Sequence, residues 1–313
     1  MCSRYDNLIP RDAMQQLFGV EQLPATNFPP RYNIAPTQEV TIVRIDRGGE
    51  RQLLIARWGL VSPWMKSIPK QPHINARAEA VERTPLFRDA FSARRCLIPA
   101  TGFYEWERRE DGRQPFRFHM RSADPFAFAG LWEGAQIDSQ RMRSTTIIVT
   151  EANSLVGAIH DRMPVILPAE AYAEWLDPNT TINAAKEMLR PFPEALMEAY
   201  PVSRAVNHYE KDDEECIRPI VLYNGPEQPT ESDQPSLPGL LGECSVSARR
   251  WGKRGSTGQR LITGGSTMSS SETSSIGSAL CTWMMCLAPG SRRESSSRNA
   301  PPAADPEGRD RRQ

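Results

Sequence analysis

Gly102-Phe103-Tyr104-Glu105-Trp106-Glu107, the turn signal Asp111-Gly112, and then residues 115–120 make up the stretch on which the fold turns. Both arms are rich in aromatic residues, and Asp-Gly supplies the left-handed backbone that a tight hairpin needs. The pattern continues outward on either side. Residues 95–99, 126–132 and 144–150 read as strands, and 40–45 and 52–58 flank Arg47-Gly48-Gly49, a second hairpin signal. So many short strands in succession predict a curved, barrel-like, mostly antiparallel sheet. Helical spacing interrupts them at Arg11–Phe18, stopped by Gly19, and at 85–91, 169–176 and 182–189, so the expected class is α+β. Proline holds 22–31 as a loop, 31–36 reads as an ordered loop entering a strand, and 202–206 and 220–222 read as the last strands.

The chain has 313 residues, 39% of them hydrophobic, which suffices for a sizeable core. After about Gly225 the composition shifts to Ser, Gly, Pro and Arg without sustained periodicity. A single domain over 1–225 is therefore expected, followed by a disordered tail over 226–313. That tail reads either as a flexible interaction segment or as a frame-shifted or read-through terminus. Lys+Arg and Asp+Glu both number 38, so bulk charge announces no nucleic-acid partner and any phosphate-binding surface must be local. No run approaches the roughly 18 apolar residues of a membrane span, and the N-terminus lacks a signal-peptide pattern, so the expectation is a soluble, cytoplasmic protein with no membrane contact. The cysteines, at 2, 96, 216, 244, 281 and 286, show neither CxxC pairs nor zinc spacing. No metal site, disulfide framework or cofactor is indicated.

Polar, chemically capable residues concentrate at a few places. Removal of Met1 would give Cys2 a free amine beside its thiol, a pair able to form an imine with an aldehyde and then close a thiazolidine ring through sulfur. In Ile74-Asn75-Ala76-Arg77-Ala78-Glu79, two-residue alternation puts Asn75, Arg77 and Glu79 on one face of an extended segment. That face is either a solvated edge or a site in which Asn75 positions a reactive group and Arg77 grips a phosphate. Glu105 sits between aromatic residues that can raise its pKa, or else on a solvent-facing strand. In Ile159-His160-Asp161-Arg162-Met163-Pro164, His160 is either structural or a proton shuttle, with Arg162 as ion-pair partner for Asp161.

Met1-Cys2, Arg31-Tyr32-Asn33-Ile34-Ala35-Pro36, Ile74-Asn75-Ala76-Arg77, Gly102-Phe103-Tyr104-Glu105-Trp106, Ile159-His160-Asp161-Arg162 and Pro201-Val202-Ser203-Arg204-Ala205-Val206 resemble, in order and spacing, the motifs of the SRAP family, the SOS response-associated peptidase-like proteins. The resemblance spans about 1–225. It implies a monomeric sensor of abasic sites in single-stranded DNA, working at the nucleoid, that sheds Met1 and captures the ring-opened sugar through Cys2 as a thiazolidine. Asn75 would position the reacting groups, and Glu105 and His160 would handle protons. Arg4 and Arg77 would hold phosphates, Asn33 and Thr150 would lend hydrogen bonds, and Trp64 would stack on or wedge beside a base. Where the family has glycine after the cysteine, this chain has Ser3, and its tryptophan loop is longer and less aromatic.

Three other readings compete. A cysteine peptidase acting chiefly on its own Met1 would turn over other peptides. An N-terminal-nucleophile amidotransferase would need a glycine-rich continuation after the cysteine, which is lacking. A non-enzymatic single-strand binder using Arg4, Arg77 and Trp64 would ignore the lesion.

Overall fold

The computed structural model of the protein describes residues 2–21, 23–24 and 28–222; the expected tail over 226–313 lies outside them. Along these residues run the strands β1 (Tyr5–Asn7), β2 (Arg31–Ile34), β3 (Glu39–Ile45), β4 (Arg51–Trp58), β5 (Asn75–Arg77), β6 (Arg95–Ala100), β7 (Gly102–Arg109), β8 (Gly112–Met120), β9 (Phe126–Ile137), β10 (Gln140–Glu151), β11 (Arg162–Pro164), β12 (Ile166–Leu167) and β13 (Met197–Pro201). The helices are short: α1 (Arg11–Phe18), α2 (Arg88–Ala93), α3 (Ser154–Gly157), α4 (Tyr172–Leu176) and α5 (Ile182–Glu187). None among the described residues is long and apolar enough to cross a membrane.

The strands β10, β4, β3, β6 and β9 follow one another in pairing order, and β9 pairs back onto β10, closing a five-stranded barrel. All of these pairs are antiparallel except β10 with β4. Closure removes the edges that an open sheet would leave unpaired. At the end of β10 the ladder gains β5, in parallel, and β11, antiparallel. A second, antiparallel sheet has the order β13-β8-β7-β1-β2.

Side-chain volume decides how closely the layers meet. A Cβ at Gly130 on β9 would lie 2.7 Å from Ile98 Cδ1 and 2.9 Å from Cys96 Sγ, so the side chains of β6 occupy the space that a larger residue would need there. Two cores result. One packs Met14 and Phe18 of α1, Phe91 of α2 and Trp175 of α4 against the barrel. The other gathers Cys2, Tyr5, Trp58, Phe103, Phe118 and Phe128, with Tyr5 edge-on to Trp58 at 5.3 Å and to Phe128 at 5.6 Å.

Within the second sheet one buried ion pair fixes the short strand β1. Arg117 on β8 donates from Nε to Asp6 Oδ2 at 2.8 Å and from Nη2 to Asp6 Oδ1 at 2.9 Å, with both side chains buried. Thr101 adds its hydroxyl to the same carboxylate, and Arg117 Nη1 donates to the Tyr200 hydroxyl of β13 at 3.0 Å. A Cβ at Gly102 would come within 2.7 Å of Asp6 and 2.8 Å of Arg117, so the pair depends on that glycine.

The expected strands over 40–45, 52–58, 95–99, 102–107, 115–120, 126–132 and 144–150 all lie within observed strands, and α1 has the expected bounds, ended by Gly19 at φ 60°. Residues 202–206 and 220–222 are corrections. Val202 makes an isolated bridge with Pro219, and Ser203 caps a 3-10 turn over Arg204–Asn207 by accepting from the Ala205 N–H, which ends the extended chain. The strand there is β13, just upstream. Residues 31–34, expected as a loop, are strand β2.

Replacing Arg117 with methionine leaves Asp6 charged and buried without its partner, and we expect a loss of about 3–5 kcal/mol of stability. The double replacement Asp6→Leu with Arg117→Met is expected to lose less than Arg117→Met alone; urea unfolding midpoints measure both.

Candidate active site

The N-terminal segment is an extension of β1. Arg4 accepts the Tyr104 N–H of β7 through its carbonyl at 3.1 Å, and the Cys2 thiol donates to the same carbonyl at 3.7 Å. From the other side Asn75 Nδ2 donates to the Cys2 carbonyl at 2.9 Å. Asn75 opens β5, whose approach is fixed by Trp58, its indole N–H donating to the Ile74 carbonyl at 3.0 Å. The alternation inferred for this stretch is observed: Ala76 and Ala78 are buried, and Arg77 and Glu79 are exposed. Asn75 Oδ1 is buried and has no hydrogen-bond partner among the described residues.

Cys2 is fully buried, and that burial pushes its thiol pKa far up, with the nearby Glu105 charge pushing the same way. A thiol so placed stays protonated at neutral pH. Glu105, on β7, is also buried, and loss of solvent raises its pKa from 4.5 to about 7. Near neutrality it therefore exists as both acid and base. His160 follows α3, which is capped by Asn153 accepting from the Val156 N–H. Burial lowers the His160 pKa, favouring neutral imidazole. Its Nδ1 accepts the Arg162 N–H at 3.0 Å, and Asp161 Oδ1 lies at the same distance. Because the ring is neutral, the backbone donor is the partner that fits Nδ1, which puts the ring proton on Nε2.

The expected DNA-contacting residues divide. Arg77 and Trp64 are exposed, Trp64 to 66%, and Arg4 is half-buried with its Nε lacking a partner among the described residues. Asn33 and Thr150 are instead buried in the frame. Asn33 Nδ2 donates to the carbonyls of Val206, His208 and Lys211, and Thr150 donates to the Leu189 carbonyl at 3.4 Å. Neither offers a hydrogen-bond donor to a ligand here. Asp212 completes the Asn33 clamp by pairing with Arg31 and accepting the N–H groups of Tyr32 and Asn33. Arg162 pairs with Glu79 rather than with Asp161, a second correction. It joins the loop after β5 to β11 and so ties the Asn75 and His160 segments together. Among the described residues no group of three His, Cys, Asp or Glu side chains is placed to hold a metal.

Sequence reasoning missed Asp6, four residues from Cys2, and its partner Arg117, which together hold β1 in place.

The fold and site define a small closed barrel with a buried cysteine, Cys2, near the start of the chain. Residues 1–209 match the family described as SOS response associated peptidase (SRAP), and the chain belongs to that family. It is similar to the abasic site processing protein YoqW of Bacillus subtilis, at 39% identity over 222 residues, which covers 69% of this chain and 99% of that one. It is also similar to the abasic site processing protein YedK of Escherichia coli, at 28% identity, covering 61% of this chain and 85% of that one. A solved protein of Bacteroides thetaiotaomicron shares the fold, with a TM-score of 0.64 at 22% identity, over 70% of this chain and 100% of that one.

Between pH 4.5 and about 7 the folded protein keeps a proton on Glu105 that the unfolded chain releases, so this group makes stability fall as pH rises through that window. Glu105→Gln is expected to remove that slope. Its melting temperature relative to the wild type should increase between pH 5 and pH 8, as measured by thermal scans across pH.

Proposed function

We propose that this protein processes abasic sites in single-stranded DNA by covalent capture, using Cys2 as its N-terminal residue once Met1 is removed. The observation that carries this reading is the hold on Cys2: its carbonyl is fixed by Asn75, and its thiol lies within the electrostatic reach of a carboxyl that titrates near pH 7. The names of the relatives, which process abasic sites, agree with it.

The Cys2 amine attacks C1 of the ring-opened sugar aldehyde, and the carbinolamine loses its hydroxyl as water to give an imine. The thiol then adds to the imine carbon, its proton passes to nitrogen, and a thiazolidine closes with net loss of one water. A buried, protonated thiol is a poor nucleophile on its own. Once the imine is formed the sulfur attacks within one molecule, where proximity offsets its weak activation. Glu105 in its acid form protonates the departing hydroxyl, and in its base form it takes the sulfur proton. Neutral His160 serves as relay. Asn75 Oδ1, buried without a partner, is the acceptor for a hydrogen of the Cys2 amine. Arg4 and Arg77 hold the phosphates flanking the lesion and Trp64 stacks beside it, while Asn33 and Thr150 support the site from within the fold.

Mature protein incubated with an oligonucleotide carrying one abasic site is expected to give a heat-stable adduct on a denaturing gel. Cys2→Ala, which keeps the amine and loses sulfur, should give an adduct only when borohydride traps the imine. A heat-stable adduct from Cys2→Ala at the wild-type rate would falsify the thiazolidine step.

A further inference from the structure

Away from Cys2, three arginines share one groove and none of them has an ion-pair partner among the described residues. Elsewhere Arg31, Arg94, Arg117, Arg162 and Arg204 each meet a carboxylate. Arg57, Arg141 and Arg143 do not, although Glu39 and Asp138 line the same groove. It has a volume of about 730 Å³ and lies between the end of β4 and the β9–β10 hairpin. A guanidinium left without a carboxylate in a concave site is placed to receive an anion from outside.

Arg57 forms the inner wall of the groove, and Arg141 and Arg143 its exposed side. Arg57 is directly opposite Glu39 on β3 and Ser144 on β10, so it stands between the two strands. Gly59, at φ 128°, lets its guanidinium lie close to the backbone: a Cβ there would sit 2.8 Å from Arg57 Nη1. That nitrogen is buried and has no hydrogen-bond partner among the described residues. Arg141 and Arg143 are both exposed and lie two residues apart on β10, hence on one face and roughly 7 Å apart along the strand.

Two connections link the groove to the Cys2 site. The loop that carries exposed Trp64 also contributes Ile68 to the groove wall. The strand β10 runs between the two places, since Val149 pairs with Arg77 and Arg143 lies six residues earlier, about 20 Å along the strand. The spacing of two strand residues resembles that of neighbouring phosphates on an extended polynucleotide.

We propose that this groove is a second phosphodiester site, which takes the backbone of the same DNA strand whose abasic sugar is held at Cys2, roughly 20 Å away. It rests on the DNA reading above and adds a length requirement to it. Short strands engage the Cys2 site alone, and longer strands reach Arg57, Arg141 and Arg143 as well.

The test compares wild type with the double variant Arg141→Gln/Arg143→Gln, both exposed positions, using undamaged single-stranded oligonucleotides of 3 and 20 nucleotides over a range of salt. On the 20-mer the variant is expected to bind about tenfold more weakly, with a salt slope shallower by about 1.4, the contribution of two single-strand phosphate contacts. On the 3-mer the two proteins should bind alike, and an abasic 3-mer at saturation should give adduct at equal rates. Equal affinity and slope on the 20-mer would overturn the groove while leaving the Cys2 reading in place. Wild type that binds neither oligonucleotide would overturn the DNA reading itself. Arginine-dependent binding of polyglutamate, with DNA binding unchanged in the variant, would assign the groove to an acidic peptide and overturn the proposal.

Discussion

The bidentate pair between Asp6 and Arg117 is the constraint on which the site depends. A residue at a chain terminus has covalent support on one side only, and such ends fray unless they are tied down. Here the tie is four residues from Cys2, on a strand of only three residues. That strand would be marginal through its ladder alone. The buried carboxylate gains two charge-assisted bonds from Arg117, a hydroxyl from Thr101 and, through Arg117, a link to Tyr200. Burying two charges costs several kcal/mol, and this many partners is what offsets it. The pair therefore specifies where β1 lies, and with it where Cys2 lies relative to Glu105 and Asn75.

Around that anchor the protein favours neutral groups. Burial raises the Cys2 thiol and the Glu105 carboxyl and lowers the His160 imidazole, so in each case the uncharged form gains. Such a site is poorly suited to a standing thiolate of the kind that attacks a peptide bond. It suits the proposed reaction, in which a neutral aldehyde meets a neutral amine and each later step needs one proton moved. Glu105, raised to about 7, changes form at neutral pH and so makes the site respond to pH there.

The barrel strands were legible because each combines apolar alternation with a nearby turn residue. The hairpin at Asp111-Gly112 was legible for the same reason, with Gly112 at φ 122°. The β9–β10 connection was not. It turns on Asp138 at φ 46° and Ser139 at φ 65°, non-glycine residues held in the left-handed region by the strands they join. The strand β1 was hidden because its central Asp6 reads as polar loop until its partner, 111 residues away, is known. Asn75 and Glu105 stand out in the sequence as chemically capable residues, and the fold puts Asn75 on the Cys2 carbonyl and Glu105 within electrostatic reach of its thiol. The burial of Asn33 and Thr150 was not legible, because a polar residue in a motif looks alike from sequence whether it faces outward or bonds carbonyls within the fold. The unpaired arginines were invisible for the converse reason, since only the fold reveals which cations lack a partner.

The most direct test of the central claim is an intact mass spectrum of the protein after exposure to an abasic single-stranded oligonucleotide, followed by localisation of the adduct. The account predicts protein lacking Met1, joined to one oligonucleotide with loss of one water, with the modification on Cys2. An adduct that still carries Met1, or one placed on a lysine, would contradict it.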